Sequence, residues 1–338
     1  MPRDGDAATI AGCGAPAARR GLGDLFSQAA APIVLIGFVL ALVVVGNLMA
    51  PGFAAPGNLA QLLKLAAFMG IVAIGQTLVM LTGGIDLSLA WVLTAAALVF
   101  TDVSQGQDAG LLPALAAALA VGIAVGAING FAVAKLRISP IVMTLAMNNI
   151  MQGVALVYSD GTPRGGVPEA MRTLTTGAIG PLPTMVLLWA VATILVILVL
   201  RSTRAGRALL AVGENPRVAW LSGIGNTRVI ILAYTASGLC AALAGVLFAG
   251  FSGQAFLGMG DQFVLPTIVA VVLGGTSILG GRGGYGGTAI AVIFITLLTT
   301  VLIIENISPG IRNIVFGGVV IVALFFYRFL QNSGKSVS

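Results

Sequence analysis

Residues 61–100 read QLLKLAAFMGIVAIGQTLVMLTGGIDLSLAWVLTAAALVF, and this segment indicates the fold class. Within these 40 residues the charged side chains are one lysine and one aspartate. A helix needs about 20 apolar residues to cross the hydrocarbon core of a bilayer, so a segment of this length folds back once. The turn is expected at residues 82–86, Thr-Gly-Gly-Ile-Asp, because glycine adopts turn conformations at little steric cost. The segment therefore predicts two membrane helices, over 60–81 and 87–100.

The composition of the whole chain is that of a membrane protein. Of 338 residues, 58% are apolar and 8% are charged, and the mean hydropathy is +1.06. A soluble domain carries about 25% charged residues, so a soluble enzyme, a disordered chain and a nucleic-acid-binding domain are excluded. The chain has no histidine, and its two cysteines, Cys13 and Cys240, are far apart. We therefore expect no catalytic residue, metal ligand or bound cofactor in this chain.

The hydropathy pattern extends along the chain and predicts a membrane helix bundle. The predicted runs are 32–50, 60–81, 87–100, 111–134, 140–158, 181–200, 229–250, 264–279, 288–304 and 311–330. The fold class is therefore all-α: a polytopic integral-membrane bundle of about ten transmembrane helices. Runs 87–100 and 264–279 are short, so a count of eight with re-entrant segments is also open. The predicted domains are a disordered tail at 1–31, one transmembrane domain at 32–330 and a tail at 331–338.

The chain has 46 glycines, and some of them recur at a helical spacing. Gly122, Gly126 and Gly130 are spaced by four residues, so they share one face of a helix. Small residues at this spacing favour close packing of membrane helices. The pattern predicts a compact bundle and does not distinguish a channel from a transporter.

The distribution of basic residues predicts the orientation. With the first tail in the cytoplasm, 13 basic residues fall inside and 4 outside, and the reverse orientation inverts this split. The inside residues are Arg3, Arg19, Arg20, Lys135, Arg137, Arg201, Arg204, Arg207, Arg217, Arg228, Arg282, Arg328 and Lys335. The outside residues are Lys64, Arg164, Arg172 and Arg312. Because cytoplasmic loops are enriched in lysine and arginine, both termini are predicted to be cytoplasmic.

Two loops are long enough to have a role of their own. The loop at 159–180 is predicted to be external, and the loop at 201–228 is predicted to be cytoplasmic and carries five arginines. In the cytoplasmic loop Asn215 and Pro216 are typical of a helix start, and Gly223 is typical of a helix end. Two interpretations of this short helix stay open. It either lies on anionic lipid or docks to a cytoplasmic partner.

Polar residues inside or beside the apolar runs are candidates for a substrate path. The candidate path residues are Gln76, Asn148, Asn149, Gln152, Thr276 and Ser277. They either form hydrogen bonds between helices or line a route for a hydroxylated solute, and the adjacent positions 148, 149 and 152 favour the route. Asp86 is an acid at a predicted cytoplasmic turn, where it is either solvated or the N-cap of the next helix.

Three strings in order resemble the membrane-spanning permease subunit of bacterial ABC importers for ribose and other simple sugars, the ribose/xylose/arabinose-type branch. The strings are Leu81-Thr82-Gly83-Gly84-Ile85-Asp86-Leu87-Ser88, Gly213-Glu214-Asn215-Pro216 with Leu221-Ser222-Gly223-Ile224, and Ala270-Val271-Val272-Leu273-Gly274-Gly275-Thr276-Ser277 with Gly280-Gly281-Arg282-Gly283. The resemblance runs from about residue 30 to 330. From these strings, Gly83, Gly84, Asp86, Ser88, Gly274 and Gly275 are expected to have structural or turn roles.

The resemblance implies a multi-pass permease of the bacterial inner membrane that works in a larger assembly. Its implied partners are a second permease copy, identical or related, two cytoplasmic ATPase subunits and a periplasmic sugar-binding protein. It also implies that ATP and Mg are used by the ATPase, and the chain itself has no GxxxxGK[ST] phosphate-binding loop. The substrate path would serve a simple sugar, although Asn148, Asn149 and Gln152 differ from the more apolar ribose-type pattern.

The resemblance also implies that the cytoplasmic loop docks into the ATPase. The residues of this expected coupling loop are Gly213, Glu214, Asn215, Arg217, Ala219, Trp220, Ser222 and Gly223. Ala219 and Gly223 fall on the family's Ala-x-x-x-Gly element, and both are expected on one helical face that allows close approach of the ATPase. The sequence departs from the family at Arg217, Val218 and Trp220, which leaves open which ATPase fits.

Two other classes of function are alternatives to an importer. An ion-coupled secondary transporter needs a coupling acid within the membrane, and the candidate is Asp86, whose turn position suits that role poorly. An integral-membrane enzyme needs a nucleophile, a base or a metal site. The chain lacks histidine and paired carboxylates within its apolar runs, so it is not expected to be an enzyme.

Overall fold

The computed structural model describes residues 22–333, and almost all of its regular structure is helical. The expectations for Arg3, Arg19, Arg20 and Lys335 lie outside the described residues. The α-helices of this part are α1 Leu22–Met49, α2 Pro56–Leu81, α3 Leu89–Ser104, α4 Leu111–Ala134, α5 Pro140–Ser159, α6 Glu169–Thr176, α7 Thr184–Ser202, α8 Arg204–Glu214, α9 Pro216–Leu221, α10 Asn226–Ser252, α11 Asp261–Leu273, α12 Tyr285–Ile304 and α13 Pro309–Ser333. A 3₁₀ turn at Asp108–Gly110 precedes α4, and two short antiparallel strands, β1 Ala178–Ile179 and β2 Leu182–Pro183, follow α6.

The all-α membrane bundle predicted from hydropathy is confirmed, and each predicted apolar run falls on one helix. Six helical segments of the described part are long and apolar enough to cross a bilayer: Pro56–Leu81, Asp108–Ala134, Pro140–Ser159, Thr184–Ser202, Asn226–Ser252 and Tyr285–Ile304. The other four runs form shorter apolar helical stretches: Ile33–Met49, Leu89–Ser104, Asp261–Leu273 and Pro309–Val322.

Two boundaries differ from the prediction. The helix α1 begins at Leu22, inside the segment predicted as a tail, because residues 22–31 include no proline and one glycine and continue the helix backwards from the apolar run. The helix α11 ends at Leu273 rather than at 279, because two glycines follow it and Gly275 takes a positive φ of 90°.

The helix α10 is the centre of the bundle and packs against α2, α3 and α4. Its contact with α4 is close because glycines face each other. A Cβ atom on Gly122 would lie 2.3 Å from the Gly238 carbonyl oxygen, and one on Gly126 would lie 2.3 Å from the Tyr234 oxygen. The four-residue glycine repeat of α4 is therefore a helix-packing face, as predicted.

Candidate functional site

Three separate segments meet beside the turn between α2 and α3. The amide of Gly281 donates a hydrogen bond to the Leu81 carbonyl oxygen at 3.0 Å. A Cβ atom on Gly213 would lie 1.9 Å from that same oxygen and 2.4 Å from the Gly281 nitrogen, and one on Gly280 would lie 2.7 Å from the Gly83 nitrogen. We call this contact of residues 81–84, 213–214 and 279–282 the junction. It brings together parts of all three strings that carry the sequence resemblance.

Close contacts between backbone segments stabilise the junction more than the ion pair between its side chains does. An ion pair joins Arg282 Nη2 to Glu214 Oε1 at 3.1 Å, and the two side chains are 65% and 53% exposed. An exposed pair of this kind contributes about 0–1 kcal/mol. The glycines, in contrast, allow three backbone segments to pass each other with no side chain between them. The end of α8 is therefore fixed directly to the end of α2.

The loop after α11 is braced within itself. The amide of Ser277 donates a hydrogen bond to the Arg282 carbonyl oxygen at 2.9 Å. The Ser277 hydroxyl oxygen accepts a hydrogen bond from the Leu279 amide at 3.2 Å. Thr276 is buried, and a Cβ atom on Gly283 would lie 2.5 Å from its Cα. Thr276 and Ser277 thus lie in the loop that reaches the junction, and the observed role of Ser277 is to shape that loop.

Asp86 is the centre of a buried polar cluster beside the junction. Its Oδ1 accepts hydrogen bonds from the Ser88 amide at 3.0 Å and from the Ser88 hydroxyl at 2.6 Å. Its Oδ2 accepts a hydrogen bond from the Ser237 hydroxyl at 2.8 Å. The Ser88 hydroxyl oxygen in turn accepts a hydrogen bond from Nδ2 of Asn129 at 2.9 Å. These bonds tie the α2–α3 turn to α4 and α10. We call these four residues the Asp86 cluster.

Neither of the two alternatives for the Asp86 side chain, solvation or an N-cap position, is correct. The residue is 1% exposed, so it is not solvated. The helix α3 begins at Leu89, and Ser88 occupies the N-cap position. The cause is the packing of α10 across the turn, which places Ser237 against the carboxylate. Ser237 and Asn129 were not predicted as site residues, and the signal that could have identified them is their polar character within apolar helices.

The predicted path residues do not form one group. Gln76 is fully buried in α2, and its amide has no hydrogen-bond partner among the described residues. Asn148 and Gln152 are half-buried on α5, which packs against α3 and α4. Asn149 is exposed on α5 rather than turned into the bundle of the single chain.

Asn149 lines a groove on the outer surface of α5. The groove has a volume of about 530 Å³, and Gly153 and Tyr158 are among its other lining residues. Asn149 therefore does not face the interior of its own chain, and its place in a substrate path stays a prediction. The interior positions of α5 belong to the helix face that carries Thr144, Met147 and Met151.

The cytoplasmic loop forms α8 and α9, and the local signals at the start of α9 act as predicted. The side chain of Asn215 accepts the amides of Arg217 and Val218 at 3.0 and 3.1 Å, and Pro216 occupies the first turn. The Ser222 hydroxyl donates to the Val218 carbonyl at 3.0 Å at the other end. This capping explains why a six-residue helix is stable in a loop.

The face that α9 offers to a partner differs from the expected one. Ala219 is 3% exposed and packs against its own chain, so it does not permit close approach of a second protein. Gly223 lies beyond the helix, which ends at Leu221, and takes a positive φ of 81°. The exposed apolar residues are instead Val218, Trp220 and Leu221, with Trp220 66% exposed.

Within residues 22–333, no three histidine, cysteine, aspartate or glutamate side chains are grouped so that they could hold a metal ion. The described part of the chain therefore offers packed turns, a buried polar cluster and an exposed helix tip.

The comparisons with known proteins assign this arrangement to transport. The family profile described as branched-chain amino acid transport system / permease component matches residues 58–324. The ribose import permease proteins of Bacillus subtilis and Escherichia coli are each 35% identical, over 85% of this chain and 89% and 90% of their own lengths. The L-arabinose transport system permease protein of Escherichia coli is 31% identical over 97% of this chain and 99% of its own.

A fructose import permease protein of Rhizobium meliloti is 32% identical over 90% of this chain and 86% of its own. No solved structure matches the chain. The family profile covers far more than half of the chain, and the ribose permeases exceed 30% identity over most of their length. This chain therefore belongs to the family of branched-chain amino acid transport system permease components, and it is a transport component and not an enzyme.

Proposed function

We propose that the chain is the membrane-spanning permease subunit of an ATP-binding-cassette importer, and that it forms the translocation path for a simple sugar. The observation that carries this proposal is the group of ribose, arabinose and fructose permeases that match nearly the whole chain. These relatives favour an importer over an ion-coupled secondary transporter. The buried contacts of Asp86 with Ser88 and Ser237 also favour a structural role for that acid over ion coupling.

The proposed assembly is built around two permease chains in the bacterial inner membrane and has two further kinds of component. A cytoplasmic ATPase hydrolyses ATP with Mg, a periplasmic binding protein delivers the sugar, and a second permease copy completes the path. The exposed groove at Asn149 supports the second copy, because an amide-bearing surface on a membrane helix is poorly suited to lipid and well suited to a path shared by two chains.

Sugar uptake is expected to require ATP and to depend on the α5 groove. The permease, reconstituted in vesicles with its ATPase and binding protein, should take up sugar with ATP and should not take it up with a proton gradient alone. The variant Asn149→Leu should lower the uptake rate several-fold, because it removes an amide from the proposed path. Uptake driven by the proton gradient without ATP would refute the importer, and unchanged uptake in the variant would refute the path.

The tip of α9 is the proposed contact with the ATPase. Its exposed residues Val218, Trp220 and Leu221 project from the same short helix, and α9 follows α8 directly. The end of α8 lies in the junction, so a displacement of α9 would be transmitted through backbone contacts to the end of α2 and to the loop after α11. This route is the structural support for a coupling role.

Removal of the Trp220 side chain is expected to weaken ATPase binding about tenfold or more. Buried aromatic anchors at interfaces contribute about 2 kcal/mol or more, and 1.4 kcal/mol corresponds to a factor of ten. The measurement is capture of the ATPase by the Trp220→Ala permease, together with uptake. The matched control is Ile179→Ala, since Ile179 is also 66% exposed but lies in the loop at 159–180. Equal capture by both variants would assign the tip of α9 to the lipid surface.

The proposed topology has ten membrane helices with both ends in the cytoplasm. Its support is the basic-residue split and the match between ten apolar runs and ten helices. Reporter domains fused after residue 170 should lie outside the cell, and those fused after residue 212 should lie inside. Location of both reporters on one side would contradict this topology.

A further inference from the structure

A groove lined by arginines lies between α8 and the start of α10, beside the tip of α9. Its volume is about 730 Å³, and its basic residues are Arg204, Arg207 and Arg228. The apolar residues Ala208 and Ile224 also line this groove. The exposed side chains thus form a basic rim around a mainly apolar floor. We call this feature the arginine groove.

The positive charge of the rim is not neutralised within the described chain. The two ion pairs between residues 22 and 333 are those of Arg164 and Arg282, and neither includes a rim arginine. Arg207 donates to the carbonyl oxygen of Ser202 at 3.4 Å, which is a long contact with a neutral group. The rim therefore attracts an anion.

The start of α10 adds to this attraction. The N-cap of α10 is Gly225, which provides no side-chain acceptor, and Gly225 itself lines the groove. The first amides of a helix have no partner inside the helix, and they carry the positive end of its dipole. An anion in the arginine groove would face these amides as well as the guanidinium groups.

The position of the groove identifies the kind of anion. The helix α7 ends at Ser202 and α10 begins at Asn226, and both are among the helices long and apolar enough to span the bilayer. The groove therefore lies where two membrane spans leave the hydrocarbon, at the depth of the lipid headgroups. Basic pockets at this depth bind the phosphates of anionic lipids, and the apolar floor suits the glycerol and upper acyl region.

We propose that the arginine groove binds the headgroup of an anionic phospholipid from the adjacent leaflet. This site is separate from the proposed ATPase contact, because Val218, Trp220 and Leu221 do not line the groove. The groove includes Gly223, the first residue with a positive φ after α9, so a bound lipid lies against the segment that connects α9 to α10. The short helix then has lipid at its base and leaves its tip for a protein partner.

The test is lipid retention by the purified full chain in detergent, measured by native mass spectrometry. Dioleoyl phosphatidylglycerol should be retained in preference to zwitterionic dioleoyl phosphatidylethanolamine. Each of Arg204→Gln, Arg207→Gln and Arg228→Gln should weaken phosphatidylglycerol binding about fivefold, the effect of one basic residue near a membrane surface. Lysine at the same positions should retain most of the binding, since the charge is kept.

Arg201→Gln is the matched control. Arg201 lies in the last turn of α7 on the same side of the bundle, but it does not line the groove. Its variant should bind phosphatidylglycerol like the parent chain. An equal loss in this control would mean general surface attraction and would overturn the site, as would a lack of preference between the two lipids.

Two further measurements separate the lipid from other anions and from the ATPase. Displacement of phosphatidylglycerol by millimolar inorganic phosphate would assign the groove to a free anion and overturn the lipid proposal. Loss of ATPase capture by the three glutamine variants, with lipid binding unchanged, would assign the rim to the protein partner. The lipid measurement needs neither ATPase nor sugar, so its failure is distinct from a failure of the proposed importer function.

Discussion

Alanine at position 213 is expected to abolish solute uptake while the chain still inserts into the membrane. The added Cβ atom would lie 1.9 Å from the Leu81 carbonyl oxygen and 2.4 Å from the Gly281 nitrogen. Both neighbours are backbone atoms, so neither can rotate out of the way as a flexible side chain would. The end of α8 must move away from the α2–α3 turn, and the hydrogen bond from Gly281 to Leu81 is strained or lost.

Overpacking of this kind costs about 1–3 kcal/mol or more when backbone has to shift. If the proposed route from α9 to the spans passes through the junction, a displacement there should reduce uptake more than tenfold even when the bundle remains folded. The measurement is ATP-driven uptake at equal amounts of inserted permease, with ATPase capture determined in parallel. Capture should persist, since the tip of α9 is unchanged.

Gly286→Ala is the matched control for Gly213→Ala. Gly286 lies in α12 close to the same loop, and a Cβ atom there would meet the Ile197 Cδ1 at 3.8 Å, an ordinary van der Waals contact. This variant should take up solute at nearly the parental rate. If both glycine variants behaved like the parent chain, the close backbone contact at the junction would have no part in transport.

Replacement of Asp86 by alanine is expected to cause the largest loss of stability among the site variants. Three donor groups, two of Ser88 and one of Ser237, would lose their shared acceptor in a buried place. A buried donor left without its acceptor costs about 1–3 kcal/mol, so the combined loss for three donors should reach about 3 kcal/mol or more. The turn between α2 and α3 would no longer be tied to α10, and uptake should fall with stability.

The measurement is the thermal unfolding midpoint in detergent together with uptake. Ser237→Ala removes one of the three donors and should cost about 1 kcal/mol. Asp86→Asn should restore part of the stability, because an amide oxygen still accepts from Ser88 and the Ser237 hydroxyl can accept from the amide nitrogen. Glu305→Ala, which removes an exposed carboxylate after α12, should leave the midpoint unchanged. An Asp86→Ala variant as stable as the Glu305 variant would exclude the structural role of the Asp86 cluster.

Several features could be predicted from the sequence because their causes are local. Each predicted apolar run falls on a helix of the described residues, since helical hydrogen bonds satisfy the backbone of an apolar segment within that segment. The start of α9 follows from Asn215 and Pro216, which act on amides two or three residues away. The glycine repeat of α4 predicts close packing because its four-residue spacing places the glycines on one face of the helix.

Whether an individual side chain is buried in the chain or exposed on its surface could not be predicted, and Asn149 and Ala219 illustrate why. In a soluble protein an apolar face turns inward and a polar face turns outward. In a bilayer both lipid and protein accept apolar side chains, so hydropathy along α5 does not distinguish its inner from its outer face. Ala219 turned out to face its own chain because the exposed positions of α9 are taken by larger apolar residues.

The helices, the glycine turns and the family resemblance could therefore be predicted from the amino-acid sequence alone. Which distant groups meet depends on how the helices pack. Asp86 bonds to Ser237 across 151 positions of the chain, and Gly213 lies against Leu81 at the end of α2 and against Gly281 in the loop after α11. The physical reason is that such contacts depend on how α8, α10 and α11 pack around α2. That packing is set by backbone approach at glycines and by buried hydrogen bonds, which no local pattern records.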